Sequence, residues 1–153
     1  LRPQRGWKKH FADDNHGNIW MGSLYEGLGK YSPANRKIRW LRPDIFLQNH
    51  ITAICKDNKG MLWISVLTKG IIKLNPETEE LVIYSLSSSK NQLSSLNNFS
   101  LHFDYQHILW IGSVEKGVDA IYNYTANSRL LQVADMVKKE LFRLKFIFII
   151  GYL

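Results

Sequence analysis

Short stretches of alternating apolar and polar residues, each closed by a turn signal, run along most of the chain. ITAICKD (51–57) alternates and ends in Asp-Asn-Lys-Gly (57–60), where an aspartate can accept backbone N–H bonds and a glycine can take positive φ. MLWISVL (61–67), IIKLN (71–75) and the β-branched and aromatic ELVIYSL (80–86) follow after further turn residues. Glycine and turn residues interrupt these runs too often for helices. The pattern predicts four short antiparallel strands joined by tight turns.

This unit recurs three times along the chain. Trp20, Trp63 and Trp110 occupy equivalent places and stand 43 and 47 residues apart, which falls in the range of roughly 40–50 residues per propeller blade. An aspartate lies six residues before each tryptophan and a glycine seven residues after it. The shared repeat positions are Asp14, Gly17, Trp20, Gly27, Asp57, Gly60, Trp63, Gly70, Asp104, Trp110 and Gly117.

The repeat predicts an all-β chain, a β-propeller fragment of about three four-stranded antiparallel blades. The predicted partial propeller covers residues 1–133. The predicted blades are about 8–41, 51–87 and 99–133. Arg42–His50 and Ser85–Asn98 are expected to be polar connectors from the outer strand of one blade to the inner strand of the next.

The repeated tryptophans allow two interpretations. In a propeller they would stack between adjacent blades, each burying about 150–250 Å². The alternative is an aromatic platform for sugar or base stacking. Strict repetition favours packing, because positions that recur in every unit build the unit and variable loops carry binding.

The third copy departs from the other two. His107 replaces the turn glycine, and a non-glycine residue at positive φ costs on the order of 1 kcal/mol. Its apolar residues also alternate one position out of step with those of the second copy, which indicates a residue missing upstream. The residues compared are Phe99, Leu101 and Phe103 with Ile51, Ala53 and Cys55.

The C-terminal stretch 134–153 abandons the repeat and is predicted to be a separate, non-repeat tail. Val137, Leu141 and Leu144 have the spacing of a short amphipathic helix. The apolar run at its end is well short of the roughly 20 residues that span a bilayer. An aberrant end to a truncated reading frame is the alternative explanation.

Charge and cysteine content narrow the function classes. The chain has 20 Lys and Arg against 13 Asp and Glu, a formal charge of +7. Because the basic residues are scattered among turns and flanks and form no single stripe, no nucleic-acid partner is expected. Cys55 is the only cysteine, so an internal disulfide is excluded.

No stretch carries a recognisable catalytic or metal-binding motif. Residues 13–17 and 57–60 faintly resemble calcium loops but lack the further oxygen ligands and the bidentate glutamate that such loops need. The five histidines show no helical pairing, and no G-x-S-x-G sequence is present. We therefore expect no enzyme activity, no metal and no cofactor in this chain.

Three segments carry a family resemblance. Gly17–Pro33, Leu62–Pro76 and Ile108–Val118 share a D-x-x-G, L-W-I-G-S/T and G-L/I-x-K/R pattern in whole or in part. This pattern resembles the two-component regulator propeller repeat, and the resemblance covers roughly residues 8–133. It implies a many-bladed propeller in the periplasmic sensor region of a hybrid histidine kinase.

The resemblance also implies a function and partners. The implied role is part of an extracytoplasmic sensor that detects carbohydrate and transmits the signal, in a membrane-anchored parent. The implied partners are the remaining propeller blades of the parent, an oligosaccharide ligand and a second copy of the intact sensor. Two alternatives stay open: a propeller scaffold for protein interaction without a signalling role, and a truncated, non-functional fragment.

Overall fold

The computed structural model of the protein describes residues 10–86, 93–122 and 129–132, and side chains up to residue 121. The strands are β1 (His10–Asp13), β2 (Ile19–Gly22), β3 (Leu28–Ser32), β4 (Lys37–Leu41), β5 (Ile51–Lys56), β6 (Leu62–Val66), β7 (Gly70–Leu74), β8 (Leu81–Tyr84), β9 (Asn98–Phe103), β10 (Leu109–Ser113), β11 (Val118–Tyr122) and β12 (Arg129–Gln132). A single turn of helix, α1 (Pro43–Phe46), lies between β4 and β5. The predicted tail and the outermost predicted blade limits, 8, 87 and 133, lie outside the described residues.

The strands form three four-stranded antiparallel sheets, each paired in chain order. We call them blade 1 (β1–β4), blade 2 (β5–β8) and blade 3 (β9–β12). Strand β5 lies against both β1 and β9, so the sheets stack side by side through their first strands. This arrangement confirms the predicted all-β class with three antiparallel blades.

The first hairpin of every blade has the same local cause. Oδ1 of the repeat aspartate accepts the backbone N–H groups two and four residues later, at 2.9 Å in each case. The chain reverses at a residue with positive φ, which is 76° at Gly17, 81° at Gly60 and 62° at His107. The aspartate thus holds the turn from inside, and blade 3 forms it despite the strain at His107.

The prediction that blade 3 lacks a residue is wrong. Trp63 pairs with Cys55 and Trp110 pairs with His102, each partner lying eight residues before its tryptophan. The two inner strands also carry a bulge at the same place, where the pairing passes over Thr52 and Phe99. The lengths of the two copies are therefore equal from the inner strand onward.

The two inner strands have the same register, but their apolar residues stand at different positions along the strand. This difference makes the third copy look one residue out of step. Phe99, Leu101 and Phe103 stand where blade 2 has Thr52, Ile54 and Lys56. An alternating pattern read without the partner strand cannot reveal which face each residue occupies.

Each blade has two faces, because side chains alternate along a strand. The tryptophan face carries Trp20, Trp63 or Trp110, and we call the other side the opposite face. At junction 1 the tryptophan face of blade 1 packs against the opposite face of blade 2, and at junction 2 blade 2 packs against blade 3 in the same way. Buried members of junction 1 include Trp20, Leu28, Leu41, Leu62, Ile64, Ile72 and Leu74. Those of junction 2 include Trp63, Ile71, Tyr84, Leu109, Ile111 and Ile121.

The connectors are less polar in their packing than the sequence predicted. Phe46 in α1 and Leu93 each lie five residues before the next inner strand begins, and both are buried in the adjoining junction. Gly27 and Gly70 face them with φ of 89° and 103°. A Cβ at Gly70 would collide with the carbonyl oxygen of Tyr84. The absence of a side chain at Gly27 and Gly70 therefore leaves space for the connector, which packs against the loop end of each junction.

Candidate functional site

Two of the three repeat tryptophans, Trp20 and Trp63, lie inside the junctions and not on a binding surface. Trp20 and Trp63 are 0% exposed. In each blade the indole Nε1 donates to Oδ2 of the repeat aspartate, at 2.9, 3.0 and 2.8 Å in blades 1, 2 and 3. Trp110 is partly buried. The first two indoles are therefore unavailable as platforms for a sugar or a base.

A lysine completes this arrangement in two blades. Lys30 Nζ lies 5.0 Å from the ring centroid of Trp20 and 3.7 Å from Oδ2 of Asp14. Lys73 Nζ lies 5.1 Å from the ring centroid of Trp63. A lysine ammonium group over an indole is attracted by the aromatic ring, and it is attracted further by the carboxylate to which that indole donates. Blade 3 has Ala120 at this position.

The environment of the aspartates changes their acidity. Burial acts to raise the pKa of Asp14, but hydrogen bonds from Trp20, Asn18 and His16 outweigh it and lower the pKa to about 2. At Asp104 the hydrogen bond from Trp110 lowers the pKa. These carboxylates are ionised at neutral pH and serve as acceptors that hold the hairpins.

Neither Cys55 nor the two calcium-like segments have the surroundings of a reactive or metal-binding site. Burial is the main cause that raises the pKa of the Cys55 thiol to about 12, and the negative charge of Asp57 adds to it. The nucleophilic thiolate is therefore scarce at neutral pH. Within the ranges that the structure describes, no group of three or more His, Cys, Asp or Glu side chains could hold a metal ion. Asp14 and Asp57 of the two calcium-like segments accept N–H bonds from their own turns and from the repeat tryptophans, and Asp13 accepts a hydrogen bond from Lys56.

A concavity among the described residues lies at the loop end of junction 2. It has a volume of about 340 Å³ and lies among the β6–β7 and β10–β11 loops, the segment after β8 and the connector before β9. Its lining combines hydroxyl, amide, carboxylate and ammonium groups with two leucines. The lining residues are Thr68, Leu86, Ser94, Ser95, Leu96, Asn97, Glu115 and Lys116.

Buried polar groups support the wall of this pocket. Oδ2 of Asp119 accepts both the backbone N–H and the hydroxyl of Ser94, at 2.8 and 2.9 Å. Asn98 donates to the carbonyl oxygen of Ser95 at 2.9 Å. Asp119 is 1% exposed and Asn98 0%. These bonds hold the connector in place, so the pocket has a defined shape.

Junction 1 carries an aromatic pair at the equivalent end. The ring of Tyr25, in the β2–β3 loop, meets His50 edge to face with centroids 5.4 Å apart. Tyr25 is 61% exposed. Hydroxyls of Ser23 and Ser113 accept N–H bonds within the corresponding loops of blades 1 and 3, which orders both loop tips.

Sequence reasoning named none of these loop residues as a site. The repeat positions lie in the turns, in the junctions and beneath the loops, and none of them lines the pocket. One signal was available: Asp119 stands where blade 2 has the buried Ile72. A carboxylate at an apolar repeat position marks local polar packing, and here that packing supports the pocket.

Comparison with known proteins identifies the repeat. Residues 45–67, the end of α1 through β6, match the family model described as two component regulator propeller. No curated protein matches the chain. Within the described residues, no helix is long and apolar enough to cross a membrane.

The fold is similar to larger solved structures. The extracellular domain described as that of hybrid two component system BT4673 from B. thetaiotaomicron has a TM-score of 0.61 at 20% identity, covering 82% of this chain and 17% of that one. The BT3049 domain from the same organism has a TM-score of 0.60 at 21% identity, covering 86% and 16%. Virginiamycin B lyase from Staphylococcus aureus has a TM-score of 0.63 at 12% identity, covering 86% and 43%.

The chain thus spans about a sixth of the length of the two extracellular domains. Its blades share their propeller fold, and its sequence carries the repeat itself. The described part of the chain is three consecutive blades with a propeller fold, and residues 45–67 match the two component regulator propeller repeat.

Proposed function

We propose that these blades form part of the extracytoplasmic sensor region of a hybrid two-component signalling protein. The observation that carries the proposal is the family repeat at residues 45–67, in a chain whose blades stack as in two extracellular domains of such systems. The proposed location is periplasmic, within a membrane-anchored parent. In that parent the remaining blades would pack against the outer faces of blades 1 and 3.

The proposed ligand is a carbohydrate, bound at the loop end of the blades. Hydroxyl, amide and charged side chains around an open pocket match the hydroxyl groups of a sugar, which both donate and accept hydrogen bonds. Asn97 and Lys116 line this pocket from the connector and from the β10–β11 loop. The exposed ring of Tyr25 offers a flat apolar surface at the neighbouring junction.

Signal transmission would use the contacts between blades. The hydroxyls of Thr52 and Ser65 in blade 2 both donate to the carbonyl oxygen of Asn98 in blade 3, at 2.6 and 2.8 Å. A ligand that contacts the connector and both loops at once would favour one spacing of the two blades. Binding would then shift the population of blade arrangements towards that spacing.

Calorimetry on the complete extracytoplasmic region of the parent tests this function. A panel of oligosaccharides would be titrated into the native region and into Asn97→Ala and Lys116→Ala variants. We expect a bound oligosaccharide to lose about tenfold in affinity in each variant, because each removes a polar contact. Asn58→Ala and Lys59→Ala are the matched controls, since these exposed residues lie in the β5–β6 turn at the other end of blade 2.

The outcomes separate the ligand from its location. Binding that the two pocket variants weaken and the two controls leave unchanged supports the proposal. Equal affinity in all four variants would reject the pocket as the binding site. A native region that binds no oligosaccharide in the panel would contradict carbohydrate sensing and favour a protein-interaction scaffold.

A further inference from the structure

Two sheet faces are uncovered in the described part of the chain, and they are of different kinds. Blade 1 exposes its opposite face, where Phe11 is 51%, Ile38 50% and Trp40 40% accessible. Blade 3 exposes its tryptophan face, with Trp110 partly buried and Val118 39% accessible. Large apolar residues gathered on one sheet face are typical of a surface that binds another protein surface.

The chain itself shows what each of these faces fits. Blade 2 presents Leu62 and Ile64 to the tryptophan face of blade 1, and blade 3 presents Leu109 and Ile111 to that of blade 2. All four are 0% exposed. These residues stand one before and one after the repeat tryptophan. The contact between the tryptophan face of one blade and the opposite face of the next blade therefore occurs twice in this chain.

Blade 1 carries apolar residues at the same two positions, Ile19 and Met21. Their register on the sheet is that of the buried pairs, since each strand pairs with its neighbours at the same offset from the tryptophan. Ile19 is 38% exposed because no described blade precedes β1. The uncovered faces are thus the two separated halves of one junction.

We propose that the tryptophan face of blade 3 in one copy of this chain binds the opposite face of blade 1 in a second copy, head to tail, wherever flanking blades are absent. The contact is heterologous, since each copy contributes a different surface. Two copies present six blades, which lies within the roughly 4–8 of closed propellers. A pair can therefore cover all four faces, and the inference does not depend on the ligand.

The new junction would differ from junction 1 in its charges. Junction 1 is bridged by ion pairs from Arg39 to Glu79 and from Lys56 to Asp13, and by a hydrogen bond between His16 and Glu77. At the positions of Glu77 and Glu79, blade 1 has Ala34 and Arg36. At the position of Lys56, blade 1 has Asp13. The contact between copies lacks these pairs and relies on apolar burial, and each copy carries a formal charge of +7. Because salt screens the repulsion between the copies, we expect the affinity to hold or to rise between 0.05 and 0.5 M salt.

Sedimentation and light scattering of the 153-residue chain test the proposal with two complementary variants. Ile38→Glu places a charge on the opposite face of blade 1, and Val118→Glu places one on the tryptophan face of blade 3. Both residues are exposed, so each variant should keep the far-UV spectrum of the native chain. Phe11→Glu is a second variant of the blade 1 face. Val114→Glu, at an exposed loop tip, is the matched control.

We expect the native chain and the control to associate, and each face variant alone to associate at least tenfold more weakly, because every contact in its homodimer contains a glutamate. An equimolar mixture of Ile38→Glu and Val118→Glu should form a 1:1 pair, since one of its two contacts is native on both sides. A native chain that stays monomeric at all concentrations would overturn the proposal. So would Val118→Glu pairing with itself, which would indicate contact between two blade 1 faces.

Discussion

At the scale of single residues, the repeat aspartate carries the local structure. One oxygen of Asp14 accepts two backbone N–H groups of its turn, and the other accepts the indole N–H of Trp20. A short acceptor side chain just before a glycine is a local signal, which the sequence shows directly. The bond to the indole needs the next strand, but its six-residue spacing recurs in all three copies.

Acid should weaken blade 1 through Asp14. Its folded-state pKa of about 2 lies below the ordinary 3.8, so its contribution is complete above the unfolded-state pKa and is lost as the pH falls towards the folded one. This loss is about 2 kcal/mol of unfolding free energy. Urea unfolding between pH 6 and 2.5 would measure it, and Asp14→Asn should flatten the dependence. Native-like pH dependence in this variant would contradict the assignment.

His107 should gain stability on replacement by glycine. Its φ of 62° is strained for a residue with a Cβ, and the side chain is exposed. His107→Gly should raise the free energy of unfolding by roughly 0.5–1 kcal/mol. Thermal unfolding would detect this, with Gln106→Gly in the same turn as a control that relieves no positive φ and should not stabilise. A lower midpoint for His107→Gly would show that the turn is unstrained.

At the scale of elements, the strand order follows from sequence, whereas the packing of the connectors does not. Alternation and turn residues predict four strands in each blade because both signals are local. Phe46 and Leu93 lie within segments that the sequence predicts as polar connectors, and each is buried because two neighbouring blades leave a gap at their loop end. The register of β9 likewise depends on its partner strand.

The turn glycines should differ in their tolerance of alanine. Gly70 and Gly117 both have positive φ, at 103° and 77°. A Cβ at Gly70 would strike the backbone of Tyr84, whereas none of the described atoms lies within 4 Å of one at Gly117. Gly70→Ala should therefore cost more than about 2 kcal/mol, and Gly117→Ala about 1 kcal/mol. Equal losses of unfolding free energy in the two variants, measured by urea unfolding, would mean that the positive φ alone sets the cost of alanine.

At the scale of the whole molecule, stability comes from junctions between blades. A four-stranded sheet buries only part of its apolar surface by itself, so each blade depends on its neighbours. Blade 2 is covered on both faces and blades 1 and 3 on one each within the described residues. The same repeat residue therefore has different surroundings in each blade.

The three tryptophans should respond unequally to the same substitution. Trp→Phe removes the indole N–H and leaves Oδ2 of the aspartate without that donor. At Trp20 and Trp63 the deprived carboxylate is buried, so each variant should lose about 1–3 kcal/mol. Trp110→Phe should lose less, because Asp104 and Trp110 are more accessible. Unfolding curves of the three variants give the order, and a largest loss at Trp110 would contradict it.

The sequence by itself determined the repeated unit, its turns and its tryptophan positions, because hairpin chemistry and alternation act over a few residues. Only the tertiary structure decided which face of each sheet is covered, where Phe46 and Leu93 lie, and how Thr68, Asn97 and Lys116 come together around one pocket. Those properties arise between blades, from residues about 20–50 positions apart in the chain. Local patterns record which side chains are apolar, but not which surface will meet them.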